Sequence, residues 1–157
     1  MNEQFDIVVI GGGTAGLVTA SGCARLGRKV ALIDRAKLGG DCLWTGCVPT
    51  KALVASGKLA HQMRNAGAYG LEAVEPKISP RAVMESMRAA RHAIEHHDAP
   101  EKFRALGIDV IDGDAKFVAR DAVEVAGRTL VAKDIVIATG SSSAQTSRRT
   151  QILRLRG

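Results

Sequence analysis

Phe5-Asp6-Ile7-Val8-Val9-Ile10-Gly11-Gly12-Gly13-Thr14-Ala15-Gly16 decides the fold class. The first six residues are mostly β-branched and apolar and show little alternation, as in a strand buried on both faces of a parallel sheet. The run stops at glycines. Thr14 to Leu26 then reads as a helix, and Gly27 suits its C-terminal cap. Val30-Ala31-Leu32-Ile33 is a second buried strand, ended by Asp34. A strand, a Gly-x-Gly-x-x-Gly turn, a helix and an acid at the end of the next strand make a dinucleotide-binding opening. Gly11 permits the tight turn, Gly13 lets backbone approach a pyrophosphate, and Gly16 allows close helix–strand packing. The helix start at Thr14 and Ala15 offers free N–H groups and a positive dipole end to phosphates. Asp34 is placed to accept hydrogen bonds from ribose hydroxyls, with Arg35 beside it in the expected cofactor-binding set. A glycine-rich turn without a ligand is the bland alternative, and the flanking elements weigh against it. The motif by itself does not choose between FAD and NAD.

The next stretch makes that choice. Gly39-Gly40-Asp41-Cys42-Leu43-Trp44-Thr45-Gly46-Cys47-Val48-Pro49-Thr50-Lys51 holds two cysteines separated by four residues. Zinc needs more ligands than this pair supplies, and the chain has no second cysteine pair. His92 and His96 share a helix face far along the sequence, and a solvated face is the better reading of them. A redox-active disulfide accounts for more. Cys47 lies near a helix start, where the dipole favours a thiolate able to donate charge to an oxidised flavin. Cys42, nearer the open end, is suited to attack an external disulfide or bind a soft metal ion. Lys51, one turn into the helix, places positive charge near the reactive edge of the flavin. Gly39-Gly40 lets the backbone pass close to the pyrophosphate. The expected catalytic pair is therefore Cys42 and Cys47, with no resident metal. The third cysteine, Cys23, reads as a small core residue.

Further along, Thr50 to Asn65 reads as a helix ended by Gly67, and 67–79 as loop. Ser79-Pro80 opens a long helix, with Ser as N-cap and Pro at the first position. Val83, Met87, Ala90 and Ile94 form its apolar stripe. Helix resumes after a break at Pro100. Ile108–Ile111, Ala115–Val118, Ala122–Val125 and Thr129–Ala132 are short strands: one added strand, then a small antiparallel meander. Ile135–Ala138 is a separate final strand leading into Thr139-Gly140. The fold class is α/β: a Rossmann-like, FAD-binding parallel sheet with helices plus an antiparallel β-meander.

The 157 residues fit one domain. The net charge of +6 invites a nucleic-acid reading, but Arg148, Arg149, Arg154 and Arg156 supply four of those charges. Without them there is no broad basic field, and no nucleic-acid partner is expected. Residues 142–157 read as a basic, disordered tail after a domain spanning 1–141. No apolar run reaches the ~20 residues of a membrane span, and the first residues do not resemble a signal peptide. A cytoplasmic location and no membrane partner are expected.

The segment Gly39 to Pro49 resembles the active-site signature of the class I pyridine nucleotide-disulfide oxidoreductases, and the motif order agrees from residue 5 to 141. That family includes dihydrolipoamide dehydrogenase, glutathione reductase and mercuric reductase. The resemblance implies that Gly11, Gly13, Gly16, Asp34, Gly40, Asp41, Cys42 and Lys51 line an FAD site. It implies that Gly113-Asp114-Ala115 touches the adenine side and that Thr139-Gly140-Ser141 closes a second FAD fingerprint. Asp34 replaces the commoner Glu, Asp41 stands where many members have Thr, and Trp44 where Asn is frequent. His96 to Phe103 is most similar to the mercuric-reductase-like branch. The implied substrates are a small-molecule disulfide or Hg(II), reduced with NAD(P)H as hydride source by a homodimer. Family members are about three times this length, with an NAD(P) domain, a return to the FAD domain and a dimer domain carrying a His-Glu pair. The expectation is a truncated, N-terminal FAD and dithiol portion, with weak FAD retention and no turnover of its own.

Overall fold

The computed structural model describes residues 2–141. The expected tail lies outside the described residues. Six strands form one sheet in the order β3-β2-β1-β6-β5-β4. They are β1 (Asn2–Ile10), β2 (Val30–Asp34), β3 (Asp109–Asp112), β4 (Lys116–Ala119), β5 (Ala122–Val125) and β6 (Arg128–Ile137). β3, β2, β1 and β6 run parallel, while β4, β5 and the first part of β6 form the antiparallel meander. The helices are α1 (Thr14–Arg25), α2 (Gly40–Trp44), α3 (Cys47–Arg64), α4 (Pro80–Glu95) and α5 (Pro100–Ala105). The α/β class and the meander are as expected.

The core lies on both faces of the sheet. Val8, Ala31, Ile33, Val123, Val125 and Leu130 pack on the meander face. Val9, Leu17, Ala20, Leu32, Phe103 and Ile108 pack on the face covered by α1 and α5. A single strand thus sends neighbours to opposite cores, which is why β1 and β2 read as unbroken apolar runs. Full burial of side chains such as Leu32 and Leu130 stabilises by about 1.5–3 kcal/mol each. Cys23 is half-buried and packs against the α1 side of this core.

Two expectations change. Thr129–Ala132 and Ile135–Ala138 are one strand, β6, because β1 begins at Asn2 and offers a partner along its whole length. The Lys133 ammonium, 2.6 Å from Asp6 Oδ1, holds the polar middle of β6 against β1. The stripe on α4 is less buried than its spacing suggests: Met87 is buried, Val83 half-buried, and Ala90 and Ile94 exposed. The reason is that α4 packs on α3 rather than on the sheet. Its start is as expected, with Ala82 N–H donating to Ser79 Oγ at 3.3 Å. Among the described residues, no helix is long and apolar enough to cross a membrane.

Among the described residues, the outer side of β6 is only partly covered. β5 pairs with Arg128–Val131, whereas β1 pairs with β6 as far as Ile137. Ile137 is exposed.

Candidate functional site

Parallel strands place their C-terminal ends side by side, and the crevice beyond those ends is where such sheets bind ligands. Backbone bonds hold the ends in line here. Gly11 N–H donates to Ile33 O at 2.7 Å, Ala138 N–H to Ile10 O at 2.8 Å, and Gly113 N–H to Asp34 O at 2.9 Å. A cavity of about 760 Å³ opens beyond them. Gly11, Gly13, Ala15, Asp34, Arg35, Gly40, Asp41, Cys42, Gly113, Ala115, Thr139, Gly140 and Ser141 all line it. Residues separated by more than a hundred positions thus share one wall.

Two expected residues lie behind that wall. A Cβ on Gly16 would collide with the Gly11 carbonyl, so Gly16 serves helix–strand packing. Lys51 is exposed on α3 and does not line the cavity. Its charge still reaches Cys42 and favours the thiolate there. Cys47 is exposed and is also outside the wall. Ala36 and Lys37 line the cavity and were not expected. The sequence did carry a signal for them, since the residues following the acid at a strand end must leave along the crevice.

At this cavity α1 starts at Thr14, with Gly13 as its N-cap, no side-chain cap bond and no acid in its first turn. Its free N–H groups and dipole end are therefore available to an anion. Gly11 takes a φ of +113°, and a Cβ there would collide with the Ala138 carbonyl. Gly13 is different: the nearest atom to a Cβ would be Gly40 Cα at 3.9 Å. Asp34 locks the turn. Its carboxylate accepts from Gly12 N–H and, at 2.7 Å, from Ala36 N–H. Gly39 N–H donates to Gly12 O at 2.8 Å, so the glycine turn and the segment before the cysteines are tied to each other. An uncapped helix start, an acid at the strand end and an unobstructed glycine together suit a dinucleotide, and these residues fit FAD.

The cysteines sit on two helices. Cys42 is in the middle of α2, and Cys47 is the first residue of α3, with Gly46 as N-cap. The break between them is made by Gly46, whose N–H donates to Asp41 O at 2.5 Å. Both thiols are free. The Cys42 thiol is pushed above its ordinary value, first by its hydrogen bond with Cys47, then by desolvation and by the charge of Cys47. The Thr14 hydroxyl and Lys51 oppose this. No local sequence feature announces the Thr14–Cys42 contact, which depends on α1 and α2 meeting over the glycine turn. Trp44 anchors the far end of α2: its Nε1–H donates to Leu38 O at 2.9 Å. His92 pairs with Glu95 at 2.7 Å on the surface.

A family model described as "Pyridine nucleotide-disulphide oxidoreductase" matches residues 5–151. The chain is 36% identical over 150 residues to a dihydrolipoyl dehydrogenase of Zymomonas mobilis, which covers 92% of this chain and 32% of that protein. It is 32% identical over 142 residues to a mercuric reductase of Bacillus cereus, covering 90% and 22%. A dihydrolipoyl dehydrogenase of Chlamydia muridarum is 35% identical over 144 residues, covering 90% and 31%. The chain thus spans a third or less of the length of these curated relatives. With the glycine turn, the uncapped α1 and Cys42 disposed around one cavity, the match over residues 5–151 places this chain in the pyridine nucleotide-disulphide oxidoreductase family.

Proposed function

We propose that residues 1–141 are the FAD-binding and dithiol portion of an NAD(P)H-dependent disulfide or mercuric reductase. The family uses FAD and NAD(P)H. The observation that carries the reading is that Cys42 lies in the wall of the same cavity as the glycine turn and the free end of α1. Gly11, Gly13, Ala15, Gly40 and Asp41 would hold the pyrophosphate region. Asp34 and Arg35 would hold the ribose, Gly113 and Ala115 the adenine side, and Thr139, Gly140 and Ser141 the opposite wall. When bound, FAD supplies a two-electron carrier that returns the cysteines to the dithiol state.

The residues of this chain do the exchange chemistry. The Cys42 thiolate attacks one sulfur of a substrate disulfide and displaces the other as a thiolate. Cys47 then attacks the Cys42 sulfur of that mixed disulfide. The second substrate thiol leaves, and the Cys42–Cys47 disulfide remains. The substrate gains two electrons and two protons, and the cysteine pair loses them. Cys47, at the start of α3, occupies the end of a helix that favours negative charge. Lys51 adds positive charge toward Cys42. A small-molecule disulfide or Hg(II) as substrate is in keeping with the names of the relatives, and a homodimer in a cytoplasmic setting belongs to the same proposal. The short coverage and the half-open β6 support a second reading, an FAD-binding portion whose turnover needs further segments.

Equilibrium dialysis of the purified chain against FAD, followed by anaerobic two-electron reduction, tests this. Saturable binding and a long-wavelength absorbance that disappears in Cys47→Ser are expected. Absence of FAD binding at saturating concentrations would overturn the cofactor assignment. Bound FAD with an unchanged spectrum in Cys47→Ser would overturn the dithiol assignment.

A further inference from the structure

The helix that carries Cys42 is five residues long, and a helix of that length has no stability of its own. Its position comes from its neighbours. At its start, Gly40 packs on Gly13, and Leu43 is buried beside Gly39. At its end stands Trp44, two residues past Cys42. The Trp44 Nε1–H donates to Leu38 O at 2.9 Å. The Lys37 ammonium stands over the indole at 4.9 Å and the Arg91 guanidinium at 5.1 Å. Lys37 and Leu38 belong to a loop fixed on either side, by Ala36 N–H to Asp34 Oδ1 at 2.7 Å and by Gly39 N–H to Gly12 O at 2.8 Å. Arg91 belongs to α4. One ring thus joins the end of α2 to a tethered loop and to a long helix.

Arg91 gives that junction its strength. Its Nε is buried and, among the described residues, has no hydrogen-bond partner. A buried donor without an acceptor is costly, and the electron-rich face of the indole is what this guanidinium has instead. We propose that Trp44 is a positioning residue for the dithiol: gripped by Arg91, Lys37 and the Leu38 carbonyl, it holds the end of α2 so that Cys42 stays within reach of Cys47 at the start of α3. The inference rests on the reading of Cys42 and Cys47 as a redox pair. When glutathione disulfide oxidises such a pair, one protein S–S bond forms and two glutathione thiols are released. The position of that equilibrium depends on the effective concentration of one protein thiol at the other. With the end of α2 released, Cys42 samples positions away from Cys47, and the equilibrium moves toward the dithiol. A tryptophan that only filled space would change folding stability and leave this equilibrium where it is.

The full chain, without flavin, is equilibrated anaerobically in a series of glutathione and glutathione disulfide buffers. It is then alkylated and read by peptide mass mapping, which separates Cys42 and Cys47 from Cys23. The unaltered chain is expected to form the Cys42–Cys47 disulfide. Trp44→Leu should need a buffer about tenfold more oxidising, a change of about 30 mV. Arg91→Met leaves the cysteine segment untouched and removes a buried, unpartnered N–H, so it decides the matter even if Trp44→Leu does not fold. It should move the equilibrium in the same direction by at least about threefold. A disulfide whose equilibrium is unchanged in folded Trp44→Leu, or in Arg91→Met, would overturn the role of Trp44 and leave the redox pair standing. Absence of the Cys42–Cys47 disulfide from the unaltered chain in every buffer would overturn the redox reading itself, and this inference with it.

Discussion

Gly13 and Gly40 meet backbone to backbone: a Cβ on Gly40 would stand 2.7 Å from the Gly13 Cα. One glycine belongs to the turn that starts α1 and the other to the first position of α2, which carries Cys42. The contact sets the distance between the anion-binding helix end and the redox helix.

Gly40 also has a φ of +55°. Gly40→Ala therefore adds left-handed backbone strain to a backbone clash, and a loss of about 2–4 kcal/mol is expected in urea unfolding. Gly13→Ala separates folding from binding. Its Cβ has 3.9 Å of room, so stability should change by less than about 1 kcal/mol. FAD affinity should nevertheless drop at least about tenfold, because the pyrophosphate needs that approach. Equal effects of Gly13→Ala on stability and affinity would contradict the placement of the phosphate.

Asp34→Ala leaves Gly12 N–H and Ala36 N–H without their acceptor. The expected cost is about 1–3 kcal/mol, measured by urea unfolding without flavin. A cost near zero would mean that the carboxylate serves only the ligand.

At the opposite end of the sheet, Arg128 bridges Glu3 at 2.6 Å and Asp109 at 2.5 Å. Its hydrogen bond is the main reason the Glu3 carboxyl sits below its ordinary value. A lowered carboxylate adds stability that is fully present above the unfolded value of about 4.3 and lost as pH falls through the folded value. Arg128→Met should therefore destabilise at pH 7, and the deficit should shrink below about pH 4. A deficit that is the same in acid would assign it to lost packing instead.

The Cys42 thiol is raised mainly by Cys47. Cys47→Ala should bring its titration down, so that iodoacetamide alkylation of Cys42 reaches its plateau at lower pH than in the unaltered reduced chain. A shift upward would contradict the hydrogen bond. In air-oxidised, folded protein, both thiols should resist alkylation until reduced. Full alkylation without reduction would count against a disulfide.

The first eighty residues were legible where local chemistry decides. Phe5–Ile10, the glycine turn and Val30–Asp34 carry their own period and punctuation, and their pairing follows from parallel topology. Ser79-Pro80 likewise marks a helix start that needs no tertiary information. The boundary inside β6 was not legible, because Lys133-Asp134 looks like a turn until Asp6 is known to face it. Burial on α4 was not legible either: Ile94 has the right spacing for a core residue, and only the packing of α4 on α3 leaves it outside. In the site, thirteen of the fifteen residues expected around the cofactor share the cavity wall, since the motifs end strands that must finish together. Lys51 falls outside because helical phase, not sequence proximity, decides which way a residue four positions past Cys47 points.

The union of β1 with β6 also sets the order in which the chain becomes a protein. Asp6 and Lys133 are 127 positions apart, yet they pair in the middle of the sheet. β1 therefore keeps one side unsatisfied until β6, more than a hundred residues later, has been synthesised. Val8 and Val9, fully enclosed at the end, spend that interval in contact with solvent or with whatever protects a nascent chain. Such long-range closure makes for slow folding, and the waiting strand is the place where association with other unfinished chains would start.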